Sequence, residues 1–572
     1  MIHKKLPVVL CWHMHQPEYR DPRNKIYQQP WTYLHAIKDY VDMAAHLEKH
    51  TGARAVVNFV PILLEQLDDY SHQIDAYLET NGETPLRDIL LTALVNPSAI
   101  TESDQRMGVV RSLMRANEER LIRRFEPFED LIDLARSISS NTDNGQYLSD
   151  DFISDLAVWY HLAWMGETVR RENDLIIRLM AKSGQFNSHE RLEFLALIGV
   201  LIKGVFSRYK SLAKLGRVEL SMTPYAHPIM PLLLDMKAGK QACPNDPQPE
   251  HETYPGGASR VQWHLQEGLK VFKKYFGVHP TGCWPSEGAI SEQTIHELAK
   301  AGFSWIASGD QVLRHSLAKD NSSEQTCRHR VWQFDHLSPA LFFRDDGLSD
   351  LIGFDYQKWH ADDAVLNFIT HLERVQESCK DEDAVVSIIL DGENAWEFYP
   401  YNGYWFLDAL YEKLSNHPGI ELTTFAAVVD KTYQRKILKH IVAGSWVYGN
   451  LSTWIGSDAK NRAWDLLVAA KLAFDQAGFS AQEGVSNWDA ETLARNSQQL
   501  AICEGSDWFW WFGDYNPSDA VRDFDQLFRL QLTRLYELIE MPAPEVLQHP
   551  LCLSALSDRV VEAGGVMRRG QS

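Results

Sequence analysis

The stretch VVSIILDGEN, Val385 to Asn394, decides the fold. Its first six residues include only one polar side chain, which predicts a strand buried on both faces, and the run ends on Asp391. Such strands belong to parallel sheets covered by helices. Similar apolar runs occur at Pro7–Trp12, Ala55–Val60 and Glu421–Phe425, and helical periodicity lies between them. In Asp363–Cys379, for example, Leu366, Ile369, Leu372 and Val375 keep a helical spacing. The class is therefore α/β. Strands spread over roughly four hundred residues point to a β/α barrel with long loop insertions, not to a compact doubly wound sheet.

Outward from these strands the pattern changes twice. From about Leu64 to Leu215 strand signals give way to amphipathic stretches, including Gly108–Ser137, Asp151–Asn173 and Ser188–Leu215. This reads as a long helical insertion. Beyond Thr432 a short apolar segment, Gly444–Tyr448, suggests a strand, and helices are expected at Asn461–Ala477 and Asp523–Ile539. The expected organisation is a catalytic barrel over 1–430, with its insertion at about 64–215, and a helix-rich C-terminal domain over 431–572 that contributes to the active-site cleft. Asn245–Gly257, rich in Pro, Gly and acidic residues, reads as an exposed loop.

A formal net charge of −21 repels phosphate backbones and anionic lipid, so neither nucleic acid nor membrane is an expected partner. The longest uncharged apolar run, Phe194–Ile202, is too short to span a bilayer. The start MIHKKLPVVLCWHMHQP lacks a proper apolar signal core and reads as a first strand. The seven cysteines are scattered and form no CxxC pair, which argues against a disulfide framework and a structural zinc site. A reducing, cytoplasmic location follows as the expectation.

Two carboxylates stand out by setting. Asp391 ends the buried strand, where a carboxyl must be paired, hydrogen-bonded or protonated; a turn-capping Asp through Gly392 is the structural alternative. Glu287, in Trp284-Pro-Ser-Glu287-Gly288, follows an apolar strand and precedes a helix that Ser291 can cap. A carboxyl pair at a barrel mouth suits glycoside hydrolysis, one group attacking the anomeric carbon and the other serving as proton donor and then base. His13 and His15, two apart at the end of the first strand, point to one side. They could be structural, could face a ligand, or could hold zinc if a third ligand converged.

Five ordered motifs carry a resemblance to glycoside hydrolase family 57, in particular its amylopullulanase and α-amylase-like branch. They are His13-Met-His15-Gln16-Pro17, Gly216 to Pro228 with His227, Trp284-Pro-Ser-Glu287, Asp391-Gly-Glu393-Asn394, and Gly449 to Gly456 with Trp454. Phe343 to Phe354 also resembles that branch, while Pro285 departs from it, standing where a small residue is usual. The resemblance implies an incomplete, seven-stranded β/α barrel followed by helices. It implies Glu287 as nucleophile and Asp391 as acid/base, with His13, His15, His227, Trp284, Glu393 and Trp454 around the sugar, and chemistry that needs no metal or cofactor. The expected substrate is an α-glucan such as starch or glycogen.

Near the C-terminus, Asp507-Trp-Phe-Trp510-Trp-Phe-Gly-Asp514 concentrates aromatic rings, and Trp510 is a candidate stacking residue, with Asp507 and Asp514 at the cleft border. Three rival activities remain: glucan transfer or branching by the same residues, metal-dependent deacetylation built on His13 and His15, and glycogen binding without turnover.

Overall fold

The computed structural model describes residues 4–139, 142–320, 327–379, 383–431, 433–479, 486–513 and 515–552. Ten strands are present among them: β1 Leu6–Met14, β2 Ala55–Phe59, β3 Val218–Met222, β4 Gly282–Cys283, β5 Trp305–Gly309, β6 Trp332–Phe334, β7 Ala340–Arg344, β8 Val386–Asp391, β9 Ile420–Thr423 and β10 Lys436–Leu438. Seven of them, β1-β2-β3-β4-β5-β7-β8, pair in parallel and close where β8 meets both β7 and β1, which makes the seven-stranded barrel. β9 takes the lower half of β1, Leu6–Val9, while β2 takes Cys11–Met14. β8 touches β7 only at Arg344–Ser387, so the lower part of β7 is left to antiparallel β6, which in turn pairs with β10. The sheet thus continues past residue 430.

Strand parity explains both the core and the site. Successive side chains alternate faces, so Val9 and Cys11 of β1, Val56 of β2, Trp305 and Ala307 of β5, Phe342 of β7 and Ile389 of β8 fill the barrel, with Trp284 and Phe425. The next residues of the same parity are His13, Asn58, Gly309, Arg344 and Asp391, which places them at the C-terminal mouth, the end where β/α barrels carry their chemistry. Opposite-parity residues such as Val8, Leu10 and Trp12 join the outer core against the helices.

The described residues of the insertion between β2 and β3 form helices joined by short turns, from Pro61–Glu79 to Ser188–Lys214, with no strand among them. Two long stretches are broken: Ser103–Leu113 is separated from Glu126–Ser139 by a π turn at Glu118–Ile122, and Asp150–Trp164 from Glu167–Glu172 at Met165-Gly166. The second break has a direct cause, since Gly166 lies against Asp42, whose carboxylate accepts from the Glu167 and Thr168 amides. C-terminal helices run over Asp458–Gly478, Ala490–Cys503 and Ser518–Leu538.

Two expectations are corrected. Gly444–Tyr448 is not a strand of the sheet; it makes a bridge in which Gly444 and Ile290 exchange backbone hydrogen bonds, and the Trp446 amide donates to Glu287 O at 3.0 Å. Cys327 and Cys379, 52 residues apart, form a disulfide with Cα atoms 5.9 Å apart, while the other five cysteines are free. Cys379 caps the helix Ala361–Ser378 and Cys327 precedes β6, so the bridge ties the end of that helix to the entry of β6. No helix among the described residues is long and apolar enough to cross a membrane.

Candidate active site

Glu287 stands in a tight turn after β4 with φ 58°, beside Gly288 at φ 59°. A Cβ on Gly288 would lie 2.5 Å from the Trp284 ring, so the turn folds directly over that indole. A left-handed glutamate is uncommon and stores strain of the kind found at functional sites. Its carboxylate is buried and accepts from the Trp446 indole N–H at 2.8 Å. Trp446 packs edge-on against Trp284 at 5.3 Å, so the segment that failed to become a strand instead fixes both backbone and side chain of Glu287.

Asp391 lies in register with His13 across β8 and β1. Asn394 donates to its Oδ2, and Arg344, beneath it on β7, donates to Ile389 O at 2.7 Å and pairs with Asp346 and Asp350. Glu287 and Asp391 line one cavity of about 800 Å³, together with Arg344, Phe354, Phe398, Trp446, Trp510 and Tyr515.

Below this floor the histidines form a hydrogen-bonded stack. His13 Nδ1 donates to Asn58 Oδ1 at 2.7 Å, with the Asn58 amide nitrogen turned to Ser221. That leaves His13 Nε2 as the acceptor of the 3.2 Å bond from His227 Nε2, and His227 Nδ1 then accepts from Ser506 Oγ at 2.7 Å. Burial, then the neighbouring His15, lowers the His13 pKa to about 3 and that of His227 well below the usual range, so both rings are neutral. His15 stacks on His227 at 4.0 Å and bonds Asp507 through Nε2 at 2.9 Å. His15, His227 and Asp507 come close enough to share a cation. Both nitrogens of His227 are already committed, however, one to Ser506 and one to His13, so this donor set does not suit a metal.

The candidate residues therefore fall into two layers. Glu287, Asp391 and Trp510 line the cavity. His13, His15, His227, Trp284, Glu393 and Trp454 are buried and do not line it. Glu393 Oε1 accepts from the His15 amide and Gln16, both at 3.2 Å, and so braces the end of β1. Trp454 backs Trp510 at 6.2 Å. Asp507 sits under the floor, and Asp514 lies outside the described residues. Sequence reasoning missed Trp446, whose only signal was its position in a short apolar run, and Tyr515. Arg344 was within a quoted motif without a role.

The two carboxyls share one electrostatic setting. Burial, then the charge of Asp391, pushes the Glu287 pKa up to about 8 against the Trp446 hydrogen bond. Burial raises Asp391 to about 6, opposed by Asn394, His15 and Arg344. Near neutrality the pair holds one proton, resting on Glu287.

Seven parallel strands thus close a barrel with two buried carboxyls, Glu287 and Asp391, at its C-terminal mouth. The family model for glycosyl hydrolase family 57 matches residues 9–443, and the chain belongs to that family. Among solved structures it is similar to a GH57-type branching enzyme from Pyrococcus horikoshii, 16% identical with TM-score 0.55 over 100% of both chains. A GH57 branching enzyme from Thermococcus kodakaraensis is 15% identical with TM-score 0.55 over 100% of both chains. An α-amylase from Thermotoga maritima is 12% identical with TM-score 0.53, over 98% of this chain and 100% of that one. No curated protein matches the chain in sequence.

Proposed function

We propose that the protein cleaves α-glucosidic bonds of starch- or glycogen-like glucans with retention, through a covalent glucosyl ester on Glu287. The observation that carries this reading is the convergence of Glu287 and Asp391 on one cavity, coupled strongly enough that the charge of one raises the pKa of the other. Glu287 attacks the anomeric carbon while Asp391 gives its proton to the departing oxygen; Asp391 then takes a proton from the incoming nucleophile, whose oxygen displaces Glu287. The Trp446 indole stabilises the glutamate as an anion and fixes the oxygen it bonds. Trp510, whose ring lines the cavity, supplies a stacking face for a glucose ring.

The reactive protonation state has Glu287 ionised and Asp391 protonated, the minor form of the free enzyme. kcat/KM should still follow a bell with limbs near 6 and 8, because the limbs report the pair and not the species that reacts. Incubation with maltoheptaose and with pullulan, products resolved by size, tests the reading: release of shorter chains supports hydrolysis. Longer chains would assign transfer to a sugar hydroxyl by the same two residues, and no change in either substrate would overturn the proposal. A mechanism-based fluorosugar should esterify Glu287, and labelling of Asp391 would reverse the roles.

A further inference from the structure

A second hollow, of about 530 Å³, lies behind the wall of the catalytic cavity. The two hollows share their dividing segments. In one, Phe354 and Gln357 face the cavity while Tyr356 and Trp359 face the hollow; in the other, Ala395 and Phe398 face the cavity while Tyr399 and Tyr401 face the hollow. Tyr399 Oη, donating to Ile352 O at 2.6 Å, ties the segments together. Nothing in the chemistry derived above uses this second face.

Its lining suits a sugar polymer. Trp359, Tyr401 and Trp405 are 46%, 44% and 48% exposed, an unusual concentration of large rings on a surface otherwise rich in carboxylates. Asp362, Asp408 and Glu412 stand among them as hydroxyl acceptors. The rings are held in place: the Arg171 guanidinium is 5.0 Å from the Trp405 ring and Arg124 is 4.5 Å from the Tyr401 ring. Asp408 is anchored through one oxygen by Lys49 and His50, each at 2.7 Å. Tyr401 and Asn402 both have φ 54°, a strained pair ahead of Gly403, and buried bonds from Lys38 to Asn402 and from Asn402 to Asp42 hold them there. That strain serves to set Tyr401 outward. Apolar ring faces combined with carboxylate acceptors match the C–H faces and hydroxyls of a neutral glucan, and at a net charge of −21 they do not match a polyanion.

We infer that this hollow is an accessory binding site for an outer segment of the same α-glucan polymer whose reacting bond lies in the neighbouring cavity. The inference rests on the proposed glucan activity for the identity of the ligand, and on the shared walls for its occupant. Its role is to hold long chains near the cleft; short oligosaccharides are handled without it.

The test is the double variant Trp359→Ala/Trp405→Ala in the full chain, with Trp359→Ala alone as a milder second variant. Expected is a roughly tenfold fall in kcat/KM on glycogen with maltoheptaose turnover unchanged, the size set by losing two ring faces, and the same split at smaller size in the single variant. Equal falls on both substrates, or no fall on either, would overturn the inference. If the parent turns over neither substrate, the activity proposal fails and the hollow is read by itself in native gels containing glycogen. There, weaker retardation of the double variant than of the parent supports the site, and identical mobility overturns it. Retardation of the parent by a mixed-linkage β-glucan equal to that by glycogen would overturn the assignment to α-glucans.

Discussion

Glu287 and Glu504 are both buried glutamates, and the protein treats them in opposite ways. Glu504 ends the helix Ala490–Cys503 and meets Arg260 at 2.8 Å, His264 at 2.8 Å and the Tyr254 hydroxyl at 2.6 Å. Burial alone would raise its pKa, but Arg260 and His264 hold it at about 2. Among the described residues Glu287 has one indole N–H and no cation in bonding contact; His227 Nδ1 is 3.9 Å away and is itself an acceptor. A buried carboxyl saturated with donors is a fastener, whereas one left with a single donor keeps a labile proton. The two are mechanically linked. Glu504 anchors the turn from which Ser506 reaches His227 and Asp507 reaches His15 beneath the cleft.

The contrast breaks most visibly in activity. Glu287→Ala and Asp391→Ala should each lower turnover of soluble starch by about 10²–10⁴-fold, the range for removing a positioned acid–base group. Near-parent activity in either would sink the role assignment. Glu504→Ala should act on the fold: stranding Arg260 in the interior is expected to remove about 3–5 kcal/mol, read as a lower denaturation midpoint at pH 7. Because its folded pKa is depressed to about 2 from an ordinary 4.5, the stability Glu504 supplies is full above pH 4.5 and lost as pH falls through 2. Acid unfolding of the parent that begins no higher than in Glu504→Gln fits; a Glu504→Ala midpoint equal to the parent's would show the clamp to be dispensable.

How much of this contrast the sequence reveals follows the range of the interactions. Parallel strands buried on both faces are locally encoded, so VVSIIL and its counterparts at Pro7, Ala55 and Glu421 are legible, as are helices such as Ser188–Lys214. Asp391 is legible because it ends such a run. β4 spans only Gly282–Cys283, so Glu287 was recovered from its Trp-Pro setting and from motif order. Long-range partners are not encoded locally. Trp446 lies 159 residues from Glu287, Arg260 lies 244 from Glu504, and Cys327 lies 52 from Cys379, and no spacing rule joins any of these pairs. The second-layer histidines illustrate the same limit: parity places His13 at the mouth, but only the fold shows it covered by His227 and Ser506.

A gain of stability would sharpen the comparison from the other side. The Glu287 pKa is raised in the folded state, so its contribution is present below pH 4.5 and is lost as pH rises through about 8. Removing the charge by Glu287→Gln should therefore stabilise the protein more at pH 8 than at pH 5, by roughly 4 kcal/mol as an upper bound from the size of the shift. The denaturation midpoints of parent and variant at the two pH values check this. A pH-independent difference would mean that Glu287 is ionised without penalty and that it resembles Glu504 after all.

The smallest effect isolates the single donor that Glu287 has. In Trp446→Phe the ring still packs on Trp284, but the N–H bond to Glu287 Oε2 is gone. A hydrogen bond to a charged group contributes about 1.5–3 kcal/mol, so the pKa of Glu287 should climb by about 1–2 units. The basic limb of the kcat/KM profile moves up from near 8 by that amount while the acidic limb near 6 stays in place, and the maximum falls about 10–100-fold because the ionised nucleophile becomes rarer. Movement of the acidic limb instead would locate the indole's influence on Asp391, and an unshifted profile with lower turnover would reduce Trp446 to a packing residue. A full shift would show that one indole N–H separates a glutamate that can ionise from one that the barrel would keep neutral.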